Sequence, residues 1–106
     1  MARSAPLQVT VRLDLLSGPS TGQRCYRLTE RVELPPRLLF ARDLPIEGEG
    51  VAELSFALPD GTPIATRGRL YYDPERPQAG SEAELVALTA DQILALQTYV
   101  EERQSS

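Results

Sequence analysis

Apolar and polar residues alternate along several segments of this chain. Residues 7–16 show the pattern most clearly, with apolar side chains at Leu7, Val9, Val11, Leu13 and Leu15. Residues 51–58 and 63–72 repeat it. Because successive side chains of a β-strand point to opposite faces of the sheet, a period of two predicts strands with one buried face. The chain is therefore expected to be mainly β.

Proline and glycine mark the ends of these strands. Pro59-Asp60-Gly61 separates residues 51–58 from residues 63–72 and predicts a tight hairpin turn, because glycine accepts a positive φ. Proline cannot donate to a ladder, so Pro35-Pro36 is expected to end another strand. Six strands are predicted in all, at residues 7–16, 24–34, 37–42, 51–58, 63–72 and 83–88.

The second predicted strand, residues 24–34, has an irregular pattern. The turn-rich residues 17–23 precede it, so it is expected to form a hairpin with the first strand. Glu30 interrupts the alternation. One face of this strand is expected to carry Tyr26, Leu28, Val32 and Leu34.

The spacing changes after residue 88 and predicts a terminal helix. Thr89 and Gln92 have the spacing of a capping box, and Asp91 suits the first turn of a helix. An apolar stripe follows at Ile93, Leu96 and Val100, with Leu94 and Tyr99 beside it. Such a helix needs a surface to pack on, so it is expected to cover one end or face of a small barrel or sandwich.

The composition limits the functions open to the chain. With 106 residues it is expected to be a single domain, residues 1–106. Its net charge of −4 disfavours binding to nucleic acid and docking to anionic membranes. Histidine is absent and Cys25 is the only cysteine, which excludes histidine-based catalysis, histidine-ligated metals and an intrachain disulfide. Without a signal or membrane-spanning stretch, a cytoplasmic location is expected.

Two groups of charged residues are candidate sites. Glu47, Glu49 and Glu53 could be read as metal ligands, but the EF-hand pattern is absent and a solvated loop is favoured. No metal site, cofactor or catalytic residue is predicted, and a small carboxylate enzyme is the last of the hypotheses.

All eleven basic residues are arginines. Arg27 and Arg31 are expected on one face of a strand, about 13 Å apart, and Arg67 and Arg69 on one face of another. Such pairs can bind phosphates, but they can equally solubilise the outer face of a sheet or protect its edge. The interpretation without phosphate binding is favoured.

The stretch from Arg37 to Arg103 resembles the PilZ domain family. The features that carry the resemblance are a short apolar strand at 38–40, a Leu-Pro-Asp-Gly turn at 58–61, Gly68-Arg69-Leu70 in the partner strand, and the helix that opens with Leu-Thr at 88–89. The resemblance implies a six-stranded antiparallel β-barrel with a C-terminal α-helix. Many family members are receptors for cyclic di-GMP.

The chain departs from the segments on which that binding depends in the family. The first is Arg-x-x-x-Arg, and Arg27 to Arg31 has these letters, but inside a predicted strand rather than in a free N-terminal arm. The second is Asp/Asn-x-Ser-x-x-Gly. Residues 32–37 contain neither the serine nor the glycine, and in the alternative stretch from Asp43 to Gly48 a proline, Pro45, replaces the serine. Weak or no cyclic di-GMP binding is therefore expected.

The leading hypothesis is a non-catalytic, PilZ-like adaptor that acts by contact with an unidentified protein, in bacterial motility, type IV pilus function or related signalling. The alternative is a genuine cyclic di-GMP receptor that uses Arg27 and Arg31. A monomer or weak dimer is expected. Candidate contact positions are Leu44, Ile46, Tyr71 and the outer face of the helix.

Overall fold

Six strands close into an antiparallel barrel, and a seventh strand and a helix pack onto it. The computed structural model describes residues 3–46, 48–76 and 80–104. The strands are β1 (Arg3–Pro6), β2 (Thr10–Leu15), β3 (Arg24–Leu34), β4 (Arg37–Phe40), β5 (Gly48–Ala57), β6 (Pro63–Tyr72) and β7 (Ser81–Leu85), and the helix is α1 (Ala90–Gln104).

The barrel order is β3-β2-β5-β6-β7-β4, and β4 pairs again with β3 to close it. All of these pairings are antiparallel. The predicted six-stranded antiparallel barrel with a C-terminal helix is thus confirmed. The additional strand, β1, was not predicted, and it pairs with the C-terminal half of β3, residues 31–34.

The barrel interior is filled by the alternating apolar residues. Leu7, Val11, Leu13 and Leu15 are buried as predicted, and Val9 packs partly buried against the same core. The inward residues of β5 and β6 are likewise buried; they include Ala52, Leu54, Phe56, Ile64 and Leu70. The period of two therefore identified the core face of these strands correctly.

The predicted hairpin turn between β5 and β6 is also confirmed. Gly61 has a φ of 94°, and its amide donates to the carbonyl of Leu58 at 2.8 Å. The amide of Leu58 donates to the carbonyl of Thr62 at 2.9 Å, which closes the turn. Pro35-Pro36, which was expected to end a strand, joins β3 to β4, and the Leu34–Pro35 peptide bond is cis.

The predicted face of β3 is correct only in its second half. Val32 and Leu34 are buried, but Tyr26 and Leu28 are each 57% exposed. The cause is a β-bulge between Thr29 and Arg31, where the pairing with β4 shifts by one residue. A bulge changes which parity of residues points inward. Glu30, which interrupts the sequence pattern, lies at this bulge.

The helix begins as its sequence predicts, but Ile93 of the predicted apolar stripe is 36% exposed rather than buried. The amide of Gln92 donates to Thr89 Oγ1 at 3.2 Å, and the amide of Thr89 donates to Gln92 Oε1 at 3.0 Å, so both halves of the capping box are present. Leu96 and Val100 are fully buried. The helix contacts β1 and β3, and the Tyr99 hydroxyl donates to the carbonyl of Pro6 at 2.6 Å.

Candidate functional site

The two arginines named for a nucleotide contact lie on different sides of β3. Arg27 shares its parity with the inward residues Cys25 and Thr29, whereas Arg31 lies beyond the bulge and is exposed. The expectation that Arg27 and Arg31 share a face is therefore wrong, because it assumed an uninterrupted strand.

Each of these guanidinium groups already has a local partner. Arg27 Nε donates to the carbonyl of Asp43 at 3.0 Å, and Arg27 Nη1 donates to the carbonyl of Tyr26 at 2.9 Å. Arg31 Nη2 donates to Ser4 Oγ at 2.8 Å. Arg27 thus ties β3 to the loop after β4, and Arg31 ties β3 to β1.

Five further arginines make ion pairs with carboxylates on the protein surface. Asp14 accepts from Arg24 at 2.7 Å and lies 3.4 Å from Arg12, and hydrogen bonding to Asp14 raises the pKa of Arg24. Glu53 lies 2.9 Å from Arg67. The remaining pairs are Arg3 with Glu101 and Arg37 with Glu82. Exposed pairs of this kind stabilise a fold little, but they neutralise positive charge locally.

Arg67 and Arg69 do share the outer face of β6, as predicted. Arg67 pairs with Glu53 on β5, while Arg69 lies opposite Glu84 on β7 in the ladder register. Carboxylates thus flank both arginines.

Two of the three acidic candidates belong to a strand rather than to a loop. Glu49 and Glu53 lie exposed on the outer face of β5, and Glu47 lies outside the described residues. Within residues 3–46, 48–76 and 80–104, no three cysteine, aspartate or glutamate side chains gather as a metal site would require. Glu49 does line a shallow groove of about 400 Å³ with Arg69, Tyr71 and Glu82.

Two of the proposed contact residues are in the core. Leu44 is 1% exposed and Ile46 is 7% exposed, so the prediction that they form a contact surface is wrong. The loop after β4 turns inward and adds both side chains to the hydrophobic core. Tyr71 and the outer helix residue Leu94 are exposed, as the prediction requires.

The register of the strands reveals a surface that sequence reasoning missed. Outward side chains of β3, β2, β5 and β6 form two neighbouring rows, and only one of the eight residues carries a charge. One row is paired across all four strands; in the other, the β2 and β5 residues lie just beyond the last pair of the β2–β5 ladder. We call this surface the weakly charged face. Its residues are Leu28, Thr10, Ala57 and Pro63 in one row, and Tyr26, Arg12, Ser55 and Ala65 in the other.

The adjacent row on the same strands has the opposite character. It consists of four charged residues, Arg24, Asp14, Glu53 and Arg67, in direct cross-strand register. Two positions along each of these four strands, the outer surface of the barrel therefore changes from charged to nearly uncharged. Tyr26 and Leu28 contribute the large apolar side chains of the weakly charged face.

Sequence reasoning missed this face for an identifiable reason. An uninterrupted strand would place Tyr26 and Leu28 on the same side as Val32 and Leu34, whereas the bulge at Glu30 changes the face. The interrupted alternation was the available signal. The small residues on β5 and β6 gave no such signal, since they belong to this face only because their strands lie beside β2 and β3.

Cys25 is the inward neighbour of Tyr26 on β3. It is a free thiol and is partly buried against the core. Burial raises the pKa of the Cys25 thiol above its ordinary value, although the nearby Arg27 acts in the opposite direction. A raised pKa disfavours the nucleophilic thiolate, so Cys25 has the character of a packing residue.

Comparison with protein-family models, with curated proteins and with solved structures gave no match. Among the described residues, no helix combines the length and the apolar character that a membrane crossing requires.

Proposed function

We propose that this chain is a non-catalytic interaction module of the PilZ type, and that it binds a protein partner through the weakly charged face. The barrel with its C-terminal helix is the architecture that the sequence resemblance implies. The proposed setting is cytoplasmic bacterial signalling, in motility or type IV pilus function.

The distribution of charge on the barrel is the observation that carries this proposal. A quarter of the chain is charged, yet seven of the eight residues of the weakly charged face are not. The centres of protein interfaces are depleted in charged residues and enriched in tyrosine. Exposed Tyr26 and Leu28, which lie opposite Arg12 and Thr10 of β2, fit that description.

The arrangement of the arginines argues for little or no cyclic di-GMP binding. A dinucleotide with two phosphates requires positive groups that converge on one groove. Arg27 and Arg31 diverge and donate to Asp43, Tyr26 and Ser4 instead.

The test is affinity capture from the encoding organism with matched surface variants. Leu28→Glu places a charge on the weakly charged face, and Leu94→Glu does the same on the outer helix face. Both parent residues are well exposed, so both variants are expected to fold. We expect the wild type and Leu94→Glu to capture one specific protein, and Leu28→Glu to lose it.

Three results would contradict the proposal. The first is the recovery of no specific partner, and the second is equal capture by the two variants. The third is a saturable calorimetric titration with cyclic di-GMP that Arg27→Ala or Arg31→Ala removes, which would establish the receptor alternative.

A further inference from the structure

Over residues 24–28, no described strand lies beside one edge of β3. β2 pairs with residues 24–28 on one side, and β4 pairs on the other side only with Thr29 and residues 31–33. Across the described ranges of the chain, residues 24–28 therefore have a ladder partner on a single side. We call this segment the open edge.

At Tyr26, the backbone amide and carbonyl of the open edge point away from β2. The amide of Thr29 donates to Val9 at 3.0 Å, and the amide of Leu15 donates to Gln23 at 2.9 Å. Before the bulge, the odd-numbered residues of β3 thus direct their backbone groups towards β2. Because these directions alternate along a strand, the amide and carbonyl of Tyr26 point to the open side.

Arg27 donates to the outward carbonyl of Tyr26 but makes no bond to its outward amide. Its Nη1 lies 2.9 Å from the carbonyl of Tyr26, and its Nε lies 3.0 Å from the carbonyl of Asp43. Arg27 also lines a pocket of about 160 Å³ at the end of the open edge, together with Leu28, Arg42 and Glu30. A carboxylate placed here would offer Arg27 a charge-assisted bond in exchange for a neutral carbonyl.

From this geometry we propose that the open edge accepts an extended segment of a partner protein as an additional strand, and that this segment alternates apolar and acidic side chains. Its backbone pairs with Tyr26, its apolar side chains extend the row of Tyr26 and Leu28, and one carboxylate binds Arg27. Unpaired edges are used in this way by several peptide-binding domains. The proposal rests on the proposed function and names the chemistry of the partner.

The charges of the edge favour an acidic segment over a second copy of this chain. Arg27 lies on the open edge, and Arg42 lies beside its pocket. Two copies paired edge to edge would bring these arginines together, and like charges in opposed strands are destabilising. An acidic segment meets the same groups with the opposite sign.

The experiment uses ¹⁵N-labelled full chain and three synthetic seven-residue probes. The first alternates glutamate with valine, the second replaces every glutamate by lysine, and the third is the acidic peptide with its central valine changed to proline. We expect the acidic probe to shift the amide signals of residues 24–28 in a saturable manner. The lysine and proline probes are expected to bind at least about tenfold more weakly.

Two variants separate the backbone of Tyr26 from its side chain. Tyr26→Pro removes the outward amide without removing a bond to β2, and Tyr26→Ala removes only the side chain. Proline is tolerated at such positions of edge strands. Binding of the acidic probe is expected to fall at least about tenfold in Tyr26→Pro and only about threefold in Tyr26→Ala. If Tyr26→Pro does not fold, Arg27→Gln serves instead, with at least a fivefold loss expected.

The inference is overturned if the acidic probe leaves residues 24–28 unshifted, if the lysine probe binds equally well, or if both Tyr26 variants weaken binding alike. The arginines would then serve only to protect the edge from pairing. Affinity capture that still depends on Leu28 would leave the proposed function standing in that case. Failure of the wild type to capture a specific protein, with an intact probe response, would overturn the proposed function alone.

Discussion

The hydroxyl of Thr29 donates a hydrogen bond to the carbonyl of Leu7, 2.6 Å away, at the point where β1 gives way to β2. The same oxygen accepts from the amide of Val9 at 3.1 Å. Thr29 is fully buried, so its side chain satisfies the backbone of a segment that has left the ladder.

Replacement of Thr29 by valine should therefore destabilise the barrel. The shape is nearly retained, but the Val9 amide and the Leu7 carbonyl lose a partner in a buried site. We expect the free energy of unfolding, measured in urea, to fall by about 1–3 kcal/mol. Thr29→Ser, which keeps the hydroxyl, should lose clearly less, and an equal loss in the two variants would contradict this role.

Local signals in the sequence predicted much of this fold. The alternation in β2, β5 and β6 gave the buried faces, because side-chain direction in a strand depends only on position. The Pro59-Asp60-Gly61 turn and the Thr89–Gln92 cap were equally readable, since each depends on neighbouring residues.

Other features depended on tertiary contacts and could not be predicted from local patterns. β1 has only four residues and pairs with residues about thirty positions away. Leu44 and Ile46 lie in a segment whose composition is typical of a loop, and only their contact with the barrel core explains their burial. The weakly charged face needs the cross-strand register, which no single segment contains.

A side chain at Gly68 should destabilise the barrel, because the side chain of Leu54 and the backbone of β7 lie close to this position. A Cβ at this position would lie 2.2 Å from Leu54 Cδ1 and 3.3 Å from the carbonyl of Glu84. Leu54 is itself buried and has little room to move. We expect Gly68→Ala to lower the free energy of unfolding by about 1–3 kcal/mol.

A double-mutant cycle identifies the cause of that loss. In a Leu54→Ala background the clash disappears, so Gly68→Ala should cost less there than in the wild type. Additive losses in urea unfolding would show that contact with Leu54 is not responsible.

The helix should depend on one of two neighbouring leucines and not on the other. Leu96 is fully buried beneath the helix, whereas Leu94 is 61% exposed. Leu96→Ala should lower the free energy of unfolding by about 2–5 kcal/mol. Leu94→Ala should change it by no more than about 0.5 kcal/mol. Similar losses in the two variants, followed by circular dichroism in urea, would contradict the packing of this helix.

Asp60 should make the protein sensitive to acid. Hydrogen bonds from the side chain and amide of Thr62 hold the pKa of Asp60 below its ordinary value in the folded state. A lowered pKa means that the ionised carboxylate contributes stability above the unfolded pKa and loses it as the pH falls through the folded one. Stability should thus decline below about pH 4.

Asp60→Asn cannot titrate, so its unfolding free energy should fall less steeply over the same pH range. Urea unfolding at a series of pH values compares the two proteins, and the carboxyl carbon signal of Asp60 reports the pKa directly. An Asp60 signal that titrates at or above the usual aspartate range would contradict the assignment.

The most direct test of the account is photo-crosslinking from defined positions on the barrel. A benzoylphenylalanine residue is placed at Leu28, on the weakly charged face, and in a second protein at Arg69, on the charged outer face of β6. After irradiation in the cells that encode the chain, we expect one specific protein to be attached at position 28 and not at position 69. Attachment only at position 69, or at neither position, would contradict the claim that the weakly charged face binds a partner.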